Sequence, residues 1–164
     1  MDLILVRHAI AFERDTSRWP DDRDRPLTAD GESKFRRAAR GLGRLVDTVD
    51  VVLCSPLTRA WQTAELLEEE AGWPKPEPFP ALEPDRTAAE ATQALATFAD
   101  RDMVAAVGHE PLLGEIIAQL LTGSSENGAF ALKKGGAASV AFEGDGPNVL
   151  RWLVTPKIER ALRS

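Results

Sequence analysis

Cysteine and histidine are scarce in this 164-residue chain, which holds one of the former and two of the latter. The lone Cys54 excludes an internal disulfide and suits a reducing compartment. It sits against the apolar run Val51-Val52-Leu53 and reads as a small buried residue. The two histidines, His8 and His109, form no short-spaced ligand pair, so a histidine-based metal centre is poorly supplied. Basic excess is also missing: the formal net charge is -6 and the pI is about 5.0. Such a molecule repels polyanions, which argues against nucleic acid or an anionic membrane as a partner. Any anion site must therefore be local. No apolar run approaches the ~20 residues that span a bilayer, and Met1-Asp2 leads into a short strand-like run rather than a basic export signal. These absences predict a cytoplasmic protein.

The sequence also holds enough apolar residues, 43% over 164 positions, for one substantial core, and we read residues 1–164 as one domain. Leu3 to Val6, Val49 to Leu53 and Met103 to Val107 are continuous β-favouring runs, as expected of strands buried on both faces. Thr28 is an N-cap for a helix whose apolar positions Phe35, Ala38, Ala39, Leu42, Leu45 and Val46 recur at helical spacing, although Gly41 and Gly43 weaken it. Ser55-Pro56 reads as an N-cap followed by a first-turn proline, opening a helix with Leu57, Ala60, Trp61, Ala64 and Leu67 inside and ending at Gly72. The stretch from Trp73 to Pro84 is broken by prolines, with a short edge strand expected within Glu77 to Leu82. A third helix covers Thr87 to Phe98, and Pro111 and Gly123 bracket a fourth. Runs at 137–142 and 149–154 flank Gly144-Asp145-Gly146-Pro147, a hairpin pattern. The expected fold is α/β, a mostly parallel sheet with antiparallel strands at one edge.

The chemistry-bearing residues share a position. Arg7-His8, Ser55 with Arg59, and Gly108-His109 each follow the carboxyl end of a predicted strand, the edge where open α/β sheets bind ligands. Arg59 falls in the first turn of its helix, so its guanidinium and free backbone N–H groups address the same anion. Two arginines offer forked donors that match phosphate oxygens. We therefore expect phosphate or a similar oxyanion, with Arg7, Arg59, His109 and Ser55 as its ligands. Permanent cations beside the histidines oppose a metal ion, and Ser55-Pro56 lacks the small residues of a serine nucleophile elbow. The nucleophile is then His8, which takes the phosphoryl group on a ring nitrogen before water releases it. Repulsion from Arg7 and Arg59 keeps that ring neutral, and the same charges stabilise the transferring group. Arg18, Arg23 and Arg25 lie on the following loop and read as solvated, with a role at the pocket entrance as the alternative.

Three motifs in order, Arg7-His8-Ala9, Ser55-Pro56-Leu57-Thr58-Arg59-Ala60-Trp61-Gln62-Thr63 and Val107-Gly108-His109-Glu110-Pro111, resemble those of the histidine phosphatase superfamily. The short chain and the segment Arg25-Pro26-Leu27-Thr28 resemble its SixA-type branch. The resemblance implies a three-layer α/β/α sandwich like phosphoglycerate mutase, no metal or organic cofactor, His8 as nucleophile, and Arg7, Arg59 and His109 as the phosphate pocket. It also implies a signal-transduction role with a phosphorylated protein as substrate, such as a histidine phosphotransfer domain. Two departures stand out. Ala9 replaces the usual glycine and is expected to tighten the backbone around phosphate. Larger branches place a Glu or Asp general acid after the second helix and the SixA branch tends to lack it; Glu83 lies near where that acid would sit, with a solvated loop residue as the other reading. An imidazole leaving group, with a pKa of about 6.5, needs far less protonation than an alkoxide. A small-molecule phosphomonoesterase using Glu83 is thus the alternative, and a non-catalytic phosphoprotein-binding module the second.

Overall fold

The three apolar runs become adjacent strands because each must cover both of its faces, and only a sheet with helices on either side does that. The computed structural model describes residues 1–126, 129–142 and 147–162. Its strands are β1 (Asp2–Arg7), β2 (Val51–Cys54), β3 (Glu77–Pro78), β4 (Met103–Gly108), β5 (Ala137–Ala141) and β6 (Val149–Val154), in the order β3-β2-β4-β1-β5-β6. The pairs β2–β3, β2–β4 and β1–β4 are parallel, while β5 runs antiparallel to both β1 and β6. The helices are α1 (Ala29–Leu45), α2 (Thr58–Ala71), α3 (Ala88–Ala96), α4 (Leu112–Thr122) and α5 (Pro156–Ala161).

Alternation along β1 divides the core. Ile4 and Val6 join one cluster with Phe35 and Leu42 of α1 and Ala64 and Leu67 of α2. Leu3 and Leu5 join the other with Leu95 of α3 and Ile116 and Ile117 of α4. Since α5 packs on α1, the result is the expected three-layer α/β/α sandwich. Among the described residues no helix is long and apolar enough to cross a membrane.

Thr28 caps α1 as its sequence suggests, accepting from Gly31 N–H at 2.9 Å. Other details differ. The Ser55 hydroxyl is not a helix cap: α2 begins at Thr58 after Leu57, which has no side-chain cap bond. Pro111 occupies the capping position before α4 rather than its first turn. β3 is only Glu77–Pro78, and Pro80–Leu82 forms a 3-10 turn, because successive prolines remove the ladder donors a longer strand needs. Helix α5 was not anticipated, although Thr155-Pro156 is the N-cap and first-turn proline pattern that marks such a start. Gly41 is a contact rather than a weakness, since a β-carbon there would collide with the Glu159 carbonyl of α5. Of the hairpin turn, residues 143–146 lie outside the described residues.

Candidate active site

Register brings the site together. Arg7 pairs with Gly108 across β1 and β4, and Val107 is the partner of both Val6 and Cys54. The next residues continue in line: His8 N–H donates to Gly108 O at 2.9 Å and Ser55 N–H to Val107 O at 3.0 Å. Three segments, remote in sequence, thereby end in one row at the carboxyl edge of the sheet. The rings of His8 and His109 stand 5.2 Å apart, tilted by 55°, with no packed side chain needed to bridge them.

A pocket of about 370 Å³ opens there, lined by Arg7, His8, Arg59 and His109. Arg14, Arg25 and Lys134 add cations, and Glu13, Asp22 and Glu110 add acids. His8 Nδ1 lies 2.7 Å from the Ala9 carbonyl. A carbonyl only accepts, so Nδ1 carries the ring proton and Nε2 keeps its lone pair. Burial lowers the His8 pKa to about 3, with Arg59, Arg7 and Arg25 adding to it and the Ala9 bond opposing it. Repulsion by the arginines is thus the smaller cause of the neutral ring, and desolvation the larger. His109 is lowered to about 2, again chiefly by burial, then by His8 and Arg59.

Ser55 Oγ, fully buried, sits 2.8 Å from His109 Nε2 while accepting from Leu57 N–H at 3.4 Å. A hydroxyl that accepts from backbone has its own proton to give. Donated to Nε2, it leaves the His109 proton on Nδ1. Three buried donors around the pocket have no hydrogen-bond partner: Arg7 Nε, Arg59 Nε and His109 Nδ1. Each such group costs about 1–3 kcal/mol when left unsatisfied.

The surrounding groups are committed elsewhere. Arg7 Nη1 donates to Leu132 O at 2.8 Å. Leu132 N–H donates to Glu110 at 2.9 Å, so Arg7 and Glu110 together hold the 130–136 loop against the strand end. Burial raises the Glu110 pKa. Gly135 there, at φ 81°, donates to both Arg7 O and His8 O at 3.1 and 3.0 Å. Arg59 is 5% exposed and bonds Asp22 through both its carbonyl (3.0 Å) and its carboxylate (3.2 Å). Arg25 clasps the same carboxylate at 2.8 Å, and these contacts, the Arg25 bond foremost, bring the Asp22 pKa down to about 2. Thr63 closes a further link, accepting from Ala9 N–H at 3.0 Å and donating to Arg59 O at 2.7 Å.

Asp22 and Glu110 line the pocket and Thr63 ties Ala9 to Arg59; of these, Thr63 and Glu110 fall inside the second and third sequence motifs, while Asp22 lies in no motif. Of the loop arginines, Arg25 lines the pocket, Arg18 lies over Phe12 and Trp19 at 4.9 and 4.3 Å, and Arg23 pairs with Glu83 at 2.6 Å. Glu83 lines an adjoining cavity with Asp22, Arg23 and Pro84, beside the pocket of His8 rather than in its lining. Ala9 is buried, and no residue other than glycine has a positive φ among the described residues, so alanine fits the position without strain. No group of three or more His, Cys, Asp or Glu is placed to hold a metal ion among the described residues.

Comparison with known proteins identifies the family and the fold. The model of the histidine phosphatase superfamily (branch 1) matches residues 3–83. An uncharacterised protein of Picosynechococcus sp. is 33% identical over 165 residues, covering 96% of this chain and 98% of its own length. The structure of the protein histidine phosphatase SixA complexed with tungstate superposes with a TM-score of 0.82 at 28% identity, over 96% of this chain and 99% of that one. A mycobacterial glucosyl-3-phosphoglycerate phosphatase complexed with VO3 shares the fold at 17% identity, with a TM-score of 0.72 over 94% and 99% of the two chains. Motifs, register and likeness converge, and the chain belongs to the histidine phosphatase superfamily.

Proposed function

We propose that this protein is a metal-independent phosphatase that removes phosphoryl groups from phosphohistidine on a signalling protein, through a covalent intermediate on His8. The observation that carries the reading is the trio of buried, unpartnered donors, Arg7 Nε, Arg59 Nε and His109 Nδ1, around a pocket that also holds a neutral imidazole. A tetrahedral oxyanion brings several acceptor oxygens to such donors. The SixA neighbour, which holds tungstate, supports the same ligand class.

In the first step His8 Nε2 attacks phosphorus, a P–N bond forms to Nε2, and the P–N bond to the substrate imidazole breaks. The Nδ1–H bond to Ala9 O supports the positive charge that the His8 ring gains. Arg7, Arg59 and His109 hold the equatorial oxygens. In the second step water attacks phosphorus and the His8–phosphorus bond breaks, releasing orthophosphate. A leaving imidazole needs little help from an acid, which fits a site where the acid candidate read from the sequence, Glu83, lies outside the pocket lining and is paired with Arg23. The small-molecule monoesterase reading would instead require Glu83 to leave Arg23 and protonate an alkoxide.

The test compares kcat/KM on a phosphorylated histidine phosphotransfer protein and on a panel of phosphate monoesters, for wild type and Glu83→Gln, with acid-labile phosphoenzyme trapped in parallel. Preference for the phosphohistidine protein, undiminished in Glu83→Gln, and a phosphoenzyme absent from His8→Ala are expected. Full turnover by His8→Ala would remove the nucleophile. Preference for monoesters that Glu83→Gln abolishes would establish the alternative, and binding without turnover or phosphoenzyme would leave only a phosphoprotein-binding module.

A further inference from the structure

Beside the catalytic pocket lies a groove of about 350 Å³ whose rim carries Lys34, Lys133, Lys134, Lys157 and Arg160, with no carboxylate among its lining residues. Its floor is apolar, formed largely by Ile10, Phe35 and Pro156. The charge is unexpected on a chain of net -6. Only Lys34 has an ion-pair partner, Asp30 at 2.7 Å, among the described residues. Lys133, Lys134 and Lys157 are exposed, so the rim presents their charges to solvent.

The groove is contiguous with the site. Ala9 and Ile10, which form one wall, directly follow the nucleophile, and Lys134 lines both groove and catalytic pocket. Gly135, another wall residue, donates its N–H to the carbonyls of Arg7 and His8. A surface seated in the groove therefore borders the catalytic pocket through Lys134. An apolar floor inside a cationic rim complements a surface that is apolar at its centre and acidic around it.

We propose that this groove docks an acidic, partly apolar face of the phosphohistidine-bearing protein, adjacent to its phosphorylated side chain. The proposal rests on the protein-phosphohistidine reading above. It places substrate selection outside the phosphate pocket: His8, Arg7, Arg59 and His109 recognise the phosphoryl group, and the groove recognises the protein that carries it.

The triple variant Lys133→Glu/Lys157→Glu/Arg160→Glu tests this, leaving Lys134 and the catalytic residues intact. For an acidic phosphohistidine phosphotransfer protein at low ionic strength, kcat/KM should fall by about tenfold or more, while turnover of free phosphohistidine stays within about twofold of wild type. Wild-type turnover of the protein should also decline with added salt more steeply than the variant's. A second arm needs no catalysis: a Glu- and Leu-rich peptide titrated into wild type and variant should bind the former alone. Peptide binding confined to wild type, with no turnover of either phosphoramidate, would uphold the groove and refute only the phosphatase reading. A peptide that binds neither protein or both alike, unchanged protein turnover in the variant, or a parallel loss on free phosphohistidine would each overturn the groove.

Discussion

The nucleophilic role proposed for His8 depends on where its proton is held and how little water surrounds it. The proton is fixed on Nδ1 by the Ala9 carbonyl, and burial brings the pKa to about 3. A ring at its ordinary value near 6.5 would be largely protonated in mild acid. The chain has only two histidines, so their ring resonances in the untagged protein can be followed by NMR without ambiguity. Neither is expected to titrate between about pH 8 and pH 5, given folded values of about 3 and about 2; a midpoint near 6.5 for His8 would show a hydrated ring and contradict this account. The place of His8 at a strand end beside arginines was legible in the sequence, because a short apolar run stops at Arg7-His8. The partner of Ser55 was not, since a serine before a proline reads equally well as a cap. Only the approach of His109 to 2.8 Å assigns its hydroxyl.

At the scale of elements, helix contacts explain glycines that local propensity misjudges. Gly41 lies in α1 where α5 crosses, and a β-carbon would strike the Glu159 backbone. A flexible side chain could yield, but a main-chain carbonyl in a helix cannot. Gly41→Ala should therefore destabilise the protein by about 1–3 kcal/mol through overpacking, despite alanine's better helix propensity. Urea unfolding reads this directly, and unchanged or increased stability would mean that α5 shifts away at no cost. The main helices were readable from caps and periodicity. α5 is only six residues long, too short for its periodicity to stand out, and its place is set by the surface of α1 that it covers.

Across the whole molecule, buried titratable groups set opposing pH limits. Glu159 is fully buried with both carboxylate oxygens unpartnered, and burial raises its pKa to about 9 from 4.5. Between those values the folded protein holds a proton that the unfolded chain releases, so this group's contribution falls as pH rises, by up to about 1.4 kcal/mol per unit. His8 and His109 act in the other direction. Their folded values lie below 6.5, so the unfolded chain takes up protons that the folded one refuses, and stability falls as pH drops below about 6.5. Maximum stability is expected in mildly acidic solution. Glu159→Gln should raise Tm relative to wild type increasingly from pH 5 to pH 8, as seen by calorimetry at each pH. A Tm difference independent of pH would show that Glu159 ionises freely in the fold.

By itself the sequence determined the local pieces: strands from short apolar runs, most helices from caps and stripes, and the arginines and histidines placed at strand ends. Those features depend on neighbours within a few residues, which a linear reading contains. The tertiary structure alone decided that Val107 pairs with both Val6 and Cys54, which aligns three distant strand ends, and that Lys34, Lys133 and Arg160 meet around one groove. Strand register and helix docking are set by the packing of both sheet faces at once, and no single segment encodes that.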